Sequence, residues 1–320
     1  MSFNAKTQRR KGAESKSAQT FFIPFASPRL CVFALNFFRL SLWCAVVVLL
    51  SASAQAQNRK PQPVPADPKL PTLFLIGDST VRNGQGDGGG GQWGWGEPLV
   101  GLFSKTKLNV VNRALGGTSS RTYLTGGNWE KVLGMLKPGD FVIMQFGHND
   151  NGALNDTSRA RGTIKGAGDE QQEIENLLTG KHEVVRSYGW YLRKYLADTK
   201  AKGATPIVCS LVPRKTWRDG KIFRSNDYAR WAAEVAKSEQ VGFIDLNEII
   251  ARRYDELGPE KVEPLFGDPH THTSLAGAEL NAACVVAGLK QIEDCPLRDF
   301  LAAKPVKIEA PAGGSKAPNP

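Results

Sequence analysis

The sequence predicts an α/β fold built on a parallel sheet covered on both faces. Short apolar runs recur along the chain, each nearly continuous in apolar residues, as doubly covered strands require. Amphipathic stretches of helical period separate them. The residues richest in chemistry stand directly after several of these runs, at the strand ends where open α/β sheets bind ligands. Taken in order, the predicted strands are Thr72–Ile76, Asn109–Asn112, Phe141–Phe146, Thr205–Leu211 and Gly242–Leu246. The predicted helices are Pro98–Phe103, Trp129–Met135, Glu183–Lys202, Asn226–Ser238, Leu246–Tyr254 and Leu275–Leu289. Strand alternating with helix in this rhythm gives crossover connections and hence a parallel sheet.

The ends of the 320-residue chain read differently from its middle. Residues 1–56 are predicted to be a signal peptide. They begin with Lys6, Arg9, Arg10, Lys11 and Lys16, continue into the apolar run Leu40–Leu50, and end in Ala54-Gln55-Ala56, a small-x-small cleavage site. That run is short for a membrane span, which needs about 20 apolar residues; an uncleaved anchor is the alternative. The reading places the mature protein in a secreted or periplasmic compartment, off the membrane after cleavage and acting as a monomer. Residues 57–70 are proline-rich and polar, as in an extended linker. Residues 71–303 form the folded domain, and 304–320, rich in Pro, Gly and Ala, are expected to be a disordered tail.

Charge and cysteines exclude several functions. The full chain has 41 Lys+Arg against 31 Asp+Glu, a net of +10. Seven basic residues and one acidic residue fall within 1–56, so the remainder is near +4 (10 − 6). So mild a balance is no nucleic-acid footprint, though it suits an anionic polymer such as pectin. Cleavage leaves Cys209, Cys284 and Cys295. Cys209 sits in an apolar run and reads as a small buried hydrophobe. Cys284 and Cys295 flank the end of the last predicted helix and either pair or remain free thiols, since spacing does not fix disulfide geometry. No pair has the C-x-x-C spacing of a zinc or redox site.

Gly77-Asp78-Ser79-Thr80 directly follows the first strand. A serine at such a turn is a candidate nucleophile; it is also a common helix N-cap. Ester hydrolysis further requires a base, a group that orients the base, and donors for the oxyanion. The chain has four histidines, His148, His182, His270 and His272. His182 lies in a charged run; the candidate bases are His270 and His272, with Asp268 near enough to orient either. Asp268 with the two histidines also resembles a metal-ligand set, but a metal hydrolase would need further ligands from His148 or Asp150. The oxyanion donors are the amide of Ser79, the amide of Gly117 (or its neighbour Gly116) and the side chain of Asn149. His148 and Asp150, beside Asn149, are read as substrate-binding.

Two irregular segments, 84–96 and 151–181, are read as rims of a cleft. The first holds eight glycines. It lacks the Gly-Lys-Ser/Thr ending of a phosphate loop, which argues against nucleotide binding. Trp93 and Trp95 offer either a sugar-stacking surface or packing at the start of the next helix.

Four blocks now stand in order: Gly77-Asp78-Ser79-Thr80; Asn112–Arg121 with its Gly116-Gly117; Gly147-His148-Asn149-Asp150; and Asp268-Pro269-His270-Thr271-His272-Thr273. Together they resemble the blocks of the SGNH (GDSL-type) hydrolases, and within them the rhamnogalacturonan acetylesterase family. The resemblance runs from about Pro71 to Leu289. It implies a three-layer α/β/α sandwich with a flavodoxin-like, five-stranded parallel sheet. It implies Ser79 as nucleophile, His272 as base, Gly117 and Asn149 as oxyanion donors, and no metal or organic cofactor. The implied substrate is an acetylated polysaccharide or oligosaccharide of the rhamnogalacturonan or pectin type. The last block departs from the usual Asp-x-x-His: Pro269 stands three before His272, so Asp268, four before it, is assigned as the acid. A lipid esterase or thioesterase on the same fold, or a carbohydrate-binding protein without turnover, are the alternatives.

Overall fold

The computed structural model describes residues 61–224 and 226–304. Among them the strands are β1 (Thr72–Gly77), β2 (Asn109–Asn112), β3 (Phe141–Gln145), β4 (Gln171–Asn176), β5 (Lys181–Arg186), β6 (Thr205–Cys209), β7 (Trp217–Arg218), β8 (Lys221–Ile222) and β9 (Gly242–Ile244). The helices are α1 (Gly96–Leu99), α2 (Ser120–Thr125), α3 (Asn128–Leu133), α4 (Tyr188–Ala201), α5 (Asn226–Ser238), α6 (Leu246–Leu257), α7 (Pro259–Val262) and α8 (Leu275–Leu289). No helix among the described residues is long and apolar enough to cross a membrane.

Strands β2-β1-β3-β6-β9 form one sheet, parallel throughout. Counting only these strands, the order is 2-1-3-4-5, the flavodoxin-like arrangement. Its direction of winding reverses between β1 and β3, so the crevice beyond their carboxyl ends is the expected ligand position.

Alternation along each strand sends side chains to two separate cores. Leu73 and Leu75 of β1, Ile143 of β3 and Ile207 of β6 join Leu99, Ile250, Tyr254, Val285 and Leu289 from α1, α6 and α8 on one face. Phe74, Ile76, Val142, Met144 and Val208 join Tyr123, Trp129, Tyr195 and Val235 from α2 to α5 on the other. Apolar residues on both faces are why these strands read as continuous apolar runs.

Residues 183–187 depart from the predicted helix. Lys181–Arg186 is a strand, paired antiparallel with Gln171–Asn176, and the helix starts at Tyr188. Val184 and Val185 favour the extended chain, and Glu183 is held in place by the buried Arg121 through two hydrogen bonds of 2.7 and 2.6 Å. Ser187 then caps the helix by accepting from Trp190 N at 3.0 Å. The irregular segment 151–181 therefore contains a strand rather than loop alone.

Residues 61–70 lie against the domain beside the edge strand β2. Asn109 exchanges hydrogen bonds with the Asp67 backbone at 3.0 and 2.7 Å, and Arg113 donates to the Pro63 carbonyl at 3.0 Å. The predicted signal peptide, residues 57–60 and 305–320 lie outside the described residues. Cys209, Cys284 and Cys295 are buried and unpaired, so the optional bridge between the last two is not formed.

Gly77 closes β1 where the chain is tightest. A Cβ there would stand 2.4 Å from the Gln145 carbonyl oxygen and 2.5 Å from Val81 Cγ2. Gly77→Ala is therefore expected to cost roughly 3 kcal/mol, read as a lower urea midpoint with the slope of the transition unchanged.

Candidate active site

Ser79 stands two residues beyond Gly77, at the crevice between β1 and β3. Its neighbours fix the turn. Asp78 is fully buried, and its Oδ1 accepts from Thr80 N at 2.8 Å and Thr80 Oγ1 at 2.7 Å. Gln145 Nε2 donates to the same Thr80 hydroxyl at 2.8 Å, and Trp95 Nε1 donates to Gln145 Oε1 at 2.7 Å. This buried polar chain ties the serine turn to the end of β3. Sequence reading missed it. The available signal was Gln145 itself, a polar residue inside an otherwise apolar strand.

His272 faces the serine, with Nε2 2.8 Å from Ser79 Oγ. Its Nδ1 lies 2.6 Å from Asp268 Oδ2. The other carboxylate oxygen, Oδ1, accepts the amides of His270, Thr271 and His272 at 3.0, 2.6 and 3.0 Å. Burial alone would raise the Asp268 pKa. Those three amides and the imidazole outweigh it and hold the carboxyl at about 2. Asp268 is thus an acceptor only, so Nδ1 carries the ring proton and Nε2 is left to accept the Ser79 hydroxyl proton. His270 is exposed and bonds Thr271 Oγ1 at 2.6 Å. The structure thus brings His272, not His270, to Ser79, and it places the acid four residues before the histidine. The competing metal reading loses its carboxylate, which is already saturated by amides and imidazole.

Across from the histidine, Gly116 runs beside the nucleophile: a Cβ on it would be 3.5 Å from Ser79 Cβ. Gly117 has φ 84°, a conformation that favours glycine. Arg161 Nη1 donates to the Gly117 carbonyl at 2.9 Å, and Asn149 Nδ2 donates to the Thr118 carbonyl at 2.8 Å. The second N–H of the Asn149 amide remains for another acceptor. The geometry brings Ser79, the Gly116-Gly117 turn, Asn149 and His272 to one rim.

Three predicted substrate contacts are corrected. Trp95 is fully buried and Trp93 is 7% exposed. Trp95 supports the serine turn through Gln145. The Trp93 ring lies under Gly88, where a Cβ would come within 2.4 Å of it. Its backbone clamps Thr273, with Trp93 N donating to Thr273 O at 2.8 Å and Thr273 Oγ1 donating to Trp93 O at 2.9 Å. Neither ring offers a sugar a face. Asp150 is also buried: it accepts from Ser120 Oγ at 2.5 Å, Ser120 N at 3.1 Å and Gly147 N at 3.0 Å. It positions the loop that carries Asn149 instead of meeting substrate. His148 does line a cavity, although its Nε2 is enclosed without a partner among the described residues, and burial lowers its pKa.

A hydroxyl, imidazole and carboxylate so linked at the carboxyl edge of a parallel sheet define a serine ester hydrolase. The chain belongs to the GDSL-like lipase/acylhydrolase family, which matches it over residues 75–280. It is 31% identical to the probable rhamnogalacturonan acetylesterase YesY of Bacillus subtilis over 69% of this chain and 93% of that one. It is 28% identical to the rhamnogalacturonan acetylesterase of Emericella nidulans, over 66% of this chain and 81% of that one. The X-ray crystal structure of the Bacillus subtilis protein YXIM superposes with a TM-score of 0.56 and 26% identity, covering 70% of this chain and 57% of that one.

Asp150 links this geometry to pH. Burial pushes its carboxyl from 3.8 up to about 7, against the hydrogen bonds from Ser120 and Gly147. The folded state then holds a proton that the unfolded chain releases, so the contribution of Asp150 to stability is greatest at low pH and declines as pH rises from about 4 to about 7. Asp150→Asn sets an NH₂ against a backbone amide and is expected to cost about 1–3 kcal/mol. Its unfolding free energy should fall less steeply between pH 5 and 8 than that of the parent, as measured by urea denaturation.

Proposed function

We propose that the protein is a carbohydrate O-acetylesterase that removes acetyl groups from plant cell-wall polysaccharide of the rhamnogalacturonan or pectin type, after export to a secreted or periplasmic compartment. The observation that carries the chemistry is the unbroken chain Ser79 Oγ to His272 Nε2 (2.8 Å) and His272 Nδ1 to Asp268 Oδ2 (2.6 Å). The substrate class is supported by relatives named as rhamnogalacturonan acetylesterases, at 28% and 27% identity for two of them. Export is supported by the basic, apolar and small-residue order of residues 1–56.

In the proposed mechanism His272 Nε2 takes the Ser79 proton as Oγ attacks the acetyl carbonyl. The negative charge that develops on the carbonyl oxygen is met by the amides of Ser79 and Gly117 and by Asn149 Nδ2. Asp268 stays ionised throughout and stabilises the imidazolium. Collapse breaks the bond to the sugar oxygen, which leaves with the proton from His272. Water then gives its proton to His272 and attacks the acyl-enzyme; acetate departs and Ser79 recovers its hydrogen.

Ser79→Ala is expected to abolish release of p-nitrophenol from its acetate ester while the folded-state spectrum is kept. Asn149→Ala should lower kcat about 10²–10³-fold. Acetate release from a panel of acetylated polysaccharides, set against hydrolysis of octanoyl esters, tests the substrate class. Preference for the octanoyl chain would replace this reading with a lipid esterase.

A further inference from the structure

A cavity of about 530 Å³ opens beside the site. Gly147 and His148, immediately before Asn149, form one side of it, and His148 lies within electrostatic range of Asp78, Arg214 and His272. The opposite wall is the excursion between β6 and α5. That wall is joined to the histidine loop by Lys215 N, which donates to the His270 carbonyl at 2.9 Å. The cavity thus borders the loop that carries Asn149 and the excursion that is bonded to the histidine loop.

Its lining is cationic. Lys165, Arg214 and Arg218 face it together with one carboxylate, Asp227. Among the described residues neither Lys165 nor Arg214 has a carboxylate partner. Arg218 lies 3.6 Å from the centroid of the Phe223 ring. Asp227 is 69% exposed and stands 4.0 Å from Arg230, which offsets its charge. Most arginines elsewhere on this domain are paired: Arg121 with Glu183, Arg193 with Asp169, Arg224 with Glu248 and Asp255. Unpaired cations gathered in a concave wall raise the local concentration of anions. Phe223 is 39% exposed, one of few large apolar side chains so exposed among the described residues, and it lines the same cavity. An aromatic face beside guanidinium and ammonium groups suits a ligand with an apolar ring surface and a carboxylate.

We infer that this cavity is a subsite for a uronic-acid residue of the substrate, with its carboxylate held by Arg214 and Lys165 and its ring set against Phe223 and Arg218. The inference rests on the acetylesterase reading above and adds to it the residues that would hold the polymer's carboxylate. Arg214 and Lys165 are specificity residues here; they do not touch the reacting ester. A charge-assisted contact of this kind is worth about tenfold in affinity, or roughly 1.4 kcal/mol.

The test compares an acetylated oligogalacturonide with the same oligomer carrying methyl-esterified carboxylates. At low salt the wild-type kcat/KM should be roughly tenfold higher on the free acid, and the gap should close near ~0.5 M salt. Arg214→Ala and Lys165→Ala should each reduce that ratio several-fold, through KM rather than kcat. Equal wild-type rates on the two oligomers, or variants that depress both alike, would overturn the subsite. A second measurement separates this inference from the reading beneath it: calorimetric titration of Ser79→Ala protein with unacetylated trigalacturonate. Binding there, with no acetate released by the wild type from any carbohydrate, would overturn the acetylesterase reading and keep the anionic subsite. Acetate release from neutral acetylated xylan without trigalacturonate binding would do the reverse.

Discussion

One carboxylate organises the reactive end of this protein. Asp268 receives four donors, three backbone amides on Oδ1 and the His272 ring on Oδ2. The amides wrap residues 268–272 into a tight turn through Oδ1, and the other oxygen of the same carboxylate fixes the ring's orientation and tautomer. Pro269 suits that turn because it has no amide of its own to satisfy and its φ is fixed. The extra residue relative to Asp-x-x-His is thereby absorbed: the carboxylate reaches back to its ring from four positions away. An alanine at 268 would remove the base's partner and leave three amides without their acceptor, so folding and chemistry are coupled at this residue.

The nucleophile's side of the rim is built on a different economy. Here the sheet supplies the rigidity. Gly77 lets β1 pass within a carbonyl's reach of β3, and the Trp95–Gln145–Thr80–Asp78 chain locks the turn beyond it. Ser120 and Asp150 do the same for the loop after β3, joining the N-terminus of α2 to the Gly147 amide. Ser79 and Asn149 therefore stand just beyond the ends of neighbouring parallel strands, each turn braced by buried polar contacts. A site whose donors are set before substrate arrives needs little reorganisation as charge develops. Separation along the chain is no obstacle: Ser79 and His272 are 193 positions apart and meet because the turn before α8, bonded through Thr273 to the Trp93 backbone, returns the histidine to the carboxyl edge beyond β1.

That regularity is also what made the sheet and the loops of Ser79 and Asn149 legible, whereas His272 was singled out by the resemblance of the four blocks. Strands buried on both faces leave continuous apolar runs, and blocks placed just after them converge by topology alone. The parts that could not be read are those whose determinants are distant or mixed. β5 carries Lys181, His182 and Glu183 before Val184-Val185, a pattern shared by an amphipathic helix, and its strand state depends on pairing with β4 and on Arg121, 62 positions upstream of Glu183. The tryptophans of the glycine-rich segment looked exposed because glycine usually marks loops. Gly88 instead lies against the Trp93 ring and covers it. Asp150 looked like a ligand-facing acid until its partner Ser120, on another element, was visible.

The division of labour between sheet and excursions bears on specificity. The reacting groups are fixed by strands and buried polar chains, which few substitutions can alter without loss of the fold. The cations, by contrast, ride on segments inserted between those elements: Arg161 and Lys165 between β3 and β4, and Arg214 and Arg218 between β6 and α5. Ala160 holds φ 40° while Asp156 Oδ1 accepts the amides of Ser158, Arg159 and Ala160, a locally strained turn that sets Arg161 beside the Gly117 carbonyl. A strained non-glycine residue persists where surrounding contacts over-determine it, and here those contacts serve a guanidinium at the lip of the site. Charge at the rim can thus be retuned by changing these segments while the hydroxyl, imidazole and amides keep their places, which is how one ester-cleaving frame can be directed to polymers of different charge.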